Sequence, residues 1–275
     1  MADVAASVLA RLKNKAKDSG ISYLTNFESR ATIDVDFLLR DYPNSIEQVK
    51  ELIGKIIDTP TGNDYIQLTA KSFEEILPQR KYHGISTQII GKIKNVRVPF
   101  KVDIGVGDII VPGAEQRKIN TQLPDFEAPV IKTYSLESTI AEKFDAILQR
   151  FELTGRMKDF YDIFYLSKVF DFKGEELQNA IFQTLHRRGT TYDKDSFKRV
   201  VDLAKNEDMQ KRWKYFLKTV KNELLEFSVV IAQIQIFLEP VFEAMVNEKE
   251  WRQKWKSDRS MWLNTNDNTG TDKNN

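Results

Sequence analysis

Between Arg30 and Phe37 the chain alternates, with Ile33, Val35 and Phe37 on one side of an extended segment and Thr32, Asp34 and Asp36 on the other. That pattern predicts a strand with one face toward a core and two carboxylates on the opposite face. A helical period precedes it: Val4, Val8, Leu9 and Leu12 predict a short amphipathic helix over residues 1–18, ended by Asp18-Ser19-Gly20. After the turn Asp41-Tyr42-Pro43-Asn44-Ser45, a second helix is predicted from the stripe Ile46, Val49, Ile53 and Ile56/Ile57. Ser45 with Gln48 resembles a capping box at its start. Past Pro60-Thr61-Gly62-Asn63 the period returns to two. Tyr65 to Leu68, Gly84 to Ile90 and Val96 to Ile104 read as short β-branched strands. Pro99 predicts that the last of them lies at a sheet edge or starts late. From Ser135 onward the period is nearly all helical, and Trp251 and Trp255, four apart, read as the core side of an amphipathic helix.

These elements predict an α+β half over residues 1–130, a helical half over 131–263 and a polar tail over 264–275 that is expected to be disordered. Pro124 and Pro129 punctuate the loop between the halves. At 275 residues the chain has length enough for a sizeable core. Cysteine is absent, which excludes disulfides, thiolate zinc sites and a cysteine nucleophile, and fits a cytoplasmic location. His83 and His186 are the two histidines, too few for a histidine-rich metal site. The mildly apolar N-terminus is followed by Arg11, Lys13, Lys15 and Lys17, the reverse of an export signal. The longest apolar region, Phe227 to Leu238, is interrupted by Gln233 and Gln235 and falls short of the roughly 20 residues that span a bilayer. No membrane partner is expected. A net charge of +1 leaves a nucleic-acid partner open.

The candidate chemistry begins with Asp34 and Asp36. Same-face neighbours on a strand lie roughly 6.5–7 Å apart, close enough for their carboxylates to converge on one or two divalent ions. A solvated outer face has the same pattern. Val102-Asp103-Ile104 repeats the logic, with Phe100, Val102 and Ile104 on one side and Lys101, Asp103 and Gly105 on the other. If the two strands are neighbours, Asp103 supplies a third carboxylate, suited to a metal pair that stabilises both oxygens of an in-line displacement. In the helix of Leu136, Ile140, Phe144 and Ile147, Lys143 borders the apolar stripe. Its ammonium suits a phosphate, or pairs with Glu142 or Glu137 on a wet surface. Arg156-Met157-Lys158-Asp159-Phe160-Tyr161-Asp162 places Asp159 and Asp162 on one helix face. These acids either cap a helix or belong to a charged knot for a nucleobase, ribose or phosphate. Basic residues around Trp213, Trp251, Trp255 and Trp262 suit single-stranded nucleic acid, although a core role for the rings is simpler. The chain has no Gly-x-Ser-x-Gly elbow, phosphate-binding loop or His-Glu-x-x-His motif.

Together these residues resemble the AbiEii/AbiGii toxin family of nucleotidyltransferases from abortive-infection and toxin–antitoxin systems. Arg30-x-Thr32-x-Asp34-x-Asp36 is similar to its metal-binding signature and Val102-Asp103-Ile104 to its third-carboxylate strand. Glu142-Lys143-x-x-Ala146 resembles its lysine helix, and Arg156-x-Lys158-Asp159-x-x-Asp162 its last motif. The resemblance implies an α+β fold with a polymerase-β-like nucleotidyltransferase core, a mixed sheet with flanking helices, followed by a helical domain. It implies Mg²⁺ or Mn²⁺ on Asp34, Asp36 and Asp103, with Lys143 and Asp159 also catalytic. Arg30, Thr32, Arg156, Lys158 and Asp162 would contact the NTP. The implied activity is transfer of NMP from NTP to an acceptor such as tRNA, restrained by a cognate antitoxin from a neighbouring gene. One departure stands out. The family places a Gly-Gly or Gly-Ser turn before the Asp-x-Asp strand, and its amides cradle the phosphates. Here residues 19–26 are too short for it, which supports an alternative: a catalytically impaired relative that binds antitoxin or RNA.

Overall fold

The computed structural model describes residues 34–39, 45–60, 65–76, 84–106, 109–118, 128–220 and 224–264. The helix expected over 1–18, the shortened segment at 19–26, Arg30, Thr32 and most of the expected tail lie outside the described residues. The chain divides into two compact units. One comprises Met1–Asp108 and Glu115–Thr133, the other Ile109–Ala114 and Tyr134–Asn275.

In the first unit the described elements are β1 (Asp34–Leu39), α1 (Ile46–Ile57), β2 (Gln67–Ile76), β3 (Gly84–Ile93), β4 (Val96–Val106), β5 (Glu115–Lys118) and β6 (Val130–Thr133). Four strands form a mixed sheet in the order β1-β4-β3-β2, in which β1 runs parallel to β4 and the other pairs are antiparallel. β5 and β6 form a separate antiparallel pair. At the start of α1, Ser45 Oγ accepts the Gln48 N–H at 3.3 Å, as the capping pattern predicted. Val49 and Ile53 of α1 bury against Ile85 and Ile89 of β3 and Val102 and Ile104 of β4. Each such side chain contributes about 1.5–3 kcal/mol. α1 therefore covers the apolar face of the sheet. The alternate residues of β3 and β4, Ser86, Gln88, Lys101 and Asp103, belong to its other face.

Two strand expectations change. β4 has neighbours on both sides, so Pro99 is not on an edge strand. β2 continues to Ile76, well past Leu68. A register shift between Ala70 and Ser72 breaks the alternation there and hides the strand from a period-two reading.

The second unit contains α2 (Leu136–Leu148), α3 (Met157–Val169), β7 (Phe172–Lys173), α4 (Gly174–Arg188), α5 (Ser196–Asp202), α6 (Glu207–Val220), α7 (Phe227–Val246), β8 (Lys254–Lys256) and β9 (Met261–Leu263). Phe144 of α2 is fully buried, its ring 5.7 Å from that of Phe197 and 5.8 Å from that of Phe242. Segment 109–114 is tied to the start of α2. The Val111 N–H donates to Ser138 Oγ at 2.7 Å, and the Ser135 and Ser138 hydroxyls both donate to the Val111 carbonyl. α7 is long and apolar enough to cross a membrane by length and composition, contrary to the expectation for this region. Here it serves as a core helix, with Ile234, Phe237, Leu238 and Val241 fully buried, and Gln233 Nε2 donating to Ser167 Oγ at 3.1 Å.

The segment around Trp251 and Trp255 is a β-hairpin, not a helix. In Lys254-Trp255-Lys256 the ring of the central residue is fully buried between half-buried or exposed lysines, which is a period of two. β7, β8 and β9 form an antiparallel sheet. Trp255 Nε1 donates to the Ser167 carbonyl at 2.6 Å, and the indole of Trp262 donates to the Phe237 carbonyl at 3.0 Å. The backbone passes so close to Gly174 that a Cβ there would lie 2.4 Å from Trp251 Cδ1 and 2.6 Å from its carbonyl oxygen. Asp171 fastens the hairpin turn, accepting from Lys256 Nζ at 2.7 Å, the Ser257 N–H at 2.9 Å and Ser257 Oγ at 3.1 Å. Burial works to raise the Asp171 carboxyl, but these hydrogen bonds and the Lys256 charge outweigh it and hold it below its ordinary value.

Two tests follow from the hairpin. Trp255→Ala should destabilise the second unit by about 3–5 kcal/mol in urea unfolding, since a fully buried Trp is lost. Because the Asp171 carboxyl titrates lower in the folded than in the unfolded chain, its contribution is full above the unfolded value and vanishes as pH falls through the folded one. The thermal midpoint of Asp171→Asn should therefore lie below wild type at pH 7 and converge on it below about pH 3–4.

Candidate active-site residues

In the first unit, the parallel register between β1 and β4 sets Asp36 opposite Asp103 and Asp34 opposite Lys101. On β3, Ser86 lies opposite Asp103 and Gln88 opposite Lys101. Neighbouring strands are about 4.8 Å apart, so Asp36 and Asp103 are cross-strand neighbours on the face away from α1. The Asp34 backbone belongs to β1, and its side chain lies outside the described residues. Asp36 is exposed, and Asp103 is 23% exposed at its side chain. Lys101 Nζ lies 3.0 Å from each Asp103 oxygen but is aligned to donate only to Oδ2. Oδ1 of Asp103 is buried and accepts no hydrogen bond.

These donors fit a hard divalent cation. Mg²⁺ and Mn²⁺ take carboxylate oxygens, and Oδ1 of Asp103 is left without a hydrogen bond by Lys101. Among the described residues no group of three acidic, histidine or cysteine side chains is placed to hold a metal. The donors described are therefore Asp36 and Asp103, with Asp34 known by its backbone alone. The sequence reading put Lys101 on the Asp103 side of its strand but gave it no role. Alternation was the signal, and the ion pair is what the structure adds.

The second unit contains the other cluster. α2 carries Lys143 and α3 carries Asp159 and Asp162, both fully buried. Lys143 Nζ lies 2.7 Å from Asp162 Oδ2 and 3.8 Å from Asp159 Oδ1. Arg156, at the N-cap of α3, forks onto Asp159 through Nε at 2.5 Å and Nη2 at 3.2 Å. In the structure Lys143 pairs with the buried aspartates one helix away. Their partners answer the capping alternative as well, because two buried carboxylates matched by Lys143 and Arg156 form a charge-neutral knot. Lys158, on the first turn of α3, is partly buried.

Two supports fix this knot. Arg212 of α6 donates through Nη1 to the carbonyls of Glu152 and Thr154, both at 2.9 Å, and so holds the turn from which Arg156 emerges. Next to Lys143 on α2, the buried Asp145 accepts from Arg188 Nη1 at 3.2 Å, from Gln149 Nε2 and from the Thr190 hydroxyl. Arg188 also lies 3.3 Å from Glu142. No sequence signal marked Arg188, Thr190 or Arg212, because their partners are 43 to 60 residues away. Trp213 is buried, its indole donating to the Leu225 carbonyl at 2.7 Å, and this assigns it to the core.

Removing the Lys143 charge takes from the buried Asp162 carboxylate the ammonium that faces it at 2.7 Å. Lys143→Met should therefore cost about 3–5 kcal/mol in urea unfolding, and adding Asp162→Asn should restore part of that loss. Equal stabilities of wild type and Lys143→Met would contradict the buried pairing.

Comparison with known proteins gives the family. Two solved structures from Helicobacter pylori have similar chains. One, assigned as a nucleotidyltransferase, has a TM-score of 0.47 and 12% identity, covering 91% of this chain and 94% of its own. The other, JHP933, has a TM-score of 0.45 and 14% identity, covering 88% and 91%. A search of curated proteins finds no match. The family model described as "Nucleotidyl transferase AbiEii toxin, Type IV TA system" matches residues 20–247, a span that includes both clusters. The chain belongs to the AbiEii nucleotidyltransferase toxin family.

Proposed function

We propose that this protein is a metal-dependent nucleotidyltransferase that moves NMP from NTP to an acceptor hydroxyl. The observation that carries the reading is the β1–β4 register, which sets Asp36 beside Asp103 with a buried, unsatisfied carboxylate oxygen. Asp34, Asp36 and Asp103 are the residues that would hold Mg²⁺ or Mn²⁺. When bound, the ion supplies Lewis-acid stabilisation of the phosphoryl oxygens and the leaving pyrophosphate. Asp103 would position or deprotonate the acceptor hydroxyl. Lys143, whose ammonium is fixed by Asp162 at 2.7 Å, supplies a rigid positive charge for a triphosphate. Arg156 and Lys158 add donors at the start of α3, and Asp159 orients Arg156. Arg30 and Thr32 are assigned to the nucleotide by resemblance to the family signature. RNA of tRNA type is the proposed acceptor, a cognate antitoxin the proposed partner and the cytoplasm the proposed location.

Transfer of labelled nucleotide from each NTP to total tRNA tests this. With Mg²⁺ present, wild type should label the acceptor, and Asp36→Asn or Asp103→Asn should lose about 100-fold or more of that rate. Calorimetry should show NTP binding that weakens in EDTA, and equal affinity with and without Mg²⁺ overturns the metal reading. The shortened segment at residues 19–26 favours a second reading, a binding module without turnover. Labelling by wild type that is lost in Asp36→Asn excludes it.

A further inference from the structure

We propose that Lys101 is a resident cation of the carboxylate site: it holds Asp103 in a ligating position and yields that carboxylate to an arriving divalent ion, thereby setting the protein's metal affinity. This inference rests on the metal reading above and goes beyond it by naming what occupies the charge site first. Three observations support it.

Lys101 Nζ is 3.0 Å from both Asp103 oxygens, yet it satisfies only one of them by hydrogen bonding. The carboxylate is thus neutralised in charge while half of its acceptor capacity stays available. Oδ1, buried here, has no hydrogen bond that an arriving divalent ion would have to break. Second, Lys101 is 49% exposed, so its flexible stem can withdraw the ammonium to water at small cost. Third, Lys101 is the base of its own sheet neighbourhood. The sheet rows read Asp36, Asp103, Ser86, Glu74 and Asp34, Lys101, Gln88, Ser72 across β1, β4, β3 and β2, and Lys101 is the one base among those eight residues. An ammonium and a divalent ion sharing one carboxylate repel each other across a few ångströms, and binding the ion requires the ammonium to leave. Lys101 is therefore a positioning residue and not a ligand.

The test is calorimetric titration of the full chain with Mn²⁺ at low ionic strength and fixed pH, without nucleotide. Lys101→Met retains the apolar stem and deletes the charge; Lys101→Gln is a second uncharged variant and Lys101→Arg keeps the charge. The uncharged variants should bind Mn²⁺ about threefold or more tighter than wild type, with Lys101→Arg near wild type. Without metal, their thermal midpoints should fall below wild type, and saturating Mn²⁺ should raise them by more. A merely structural lysine would not tighten metal binding on removal. Unchanged or weaker affinity in both uncharged variants, with wild type binding Mn²⁺, overturns this inference alone. Absence of Mn²⁺ binding in wild type and all variants overturns the metal reading and this inference with it.

Discussion

The carboxylate site depends on a single hydrogen-bond register, that of β1 against β4. Because side chains alternate along a strand, a slip of one residue would set Val35 or Phe37 opposite Asp103 and move the acids off their shared row. What pins the register is the opposite face. Val102 and Ile104 bury with Ile85 and Ile89 under Val49 and Ile53 of α1, and Phe37 packs against the same cluster. The apolar residues fix the strands, and the acids between them take their places as a consequence. On the charged face Lys101 donates to one oxygen of Asp103 and leaves the other without a hydrogen bond.

The second unit handles charge in the opposite way. There the acids are inside: Asp159 and Asp162 are fully buried, and the protein surrounds them with Lys143, Arg156 and a turn braced by Arg212. Buried ions of this kind are costly unless every partner is in place. Such an arrangement holds the Lys143 ammonium at one point between two helices. An exposed lysine would sample many positions and lose entropy when it met its ligand.

Much of this was legible in the sequence, and the limits have physical causes. Alternation exposed β1, β3 and β4, a helical stripe with a serine cap exposed α1, and a helical stripe alone exposed α2. Asp36, Asp103, Lys143, Asp159 and Asp162 stood out in the sequence because charged residues beside apolar periods do, and the structure sets Asp36 opposite Asp103 and Lys143 against Asp159 and Asp162. β2 beyond Leu68 was hidden by its register shift. Pro99 misled because local rules do not show which neighbours a strand acquires, and β4 lies between β1 and β3. The C-terminal hairpin was read as helix because two tryptophans four apart satisfy that period, whereas its strands of three residues are too short to show their own. Partners such as Arg188 and Arg212 depend on long-range folding, which no local pattern encodes.

The hairpin has a bearing on when the second unit can form during synthesis. Trp255 bonds to the carbonyl of Ser167 across 88 residues of chain, and Asp171 is tied to Ser257 across 86. Such distant closures come late, since the intervening segment must be made before its ends can meet. The helices bearing Lys143 and Asp162 emerge early from the ribosome, but the aromatic seal over their unit arrives last. Until then the ring of Phe237 lacks the indole that packs on it at 4.8 Å, and that apolar surface stays uncovered.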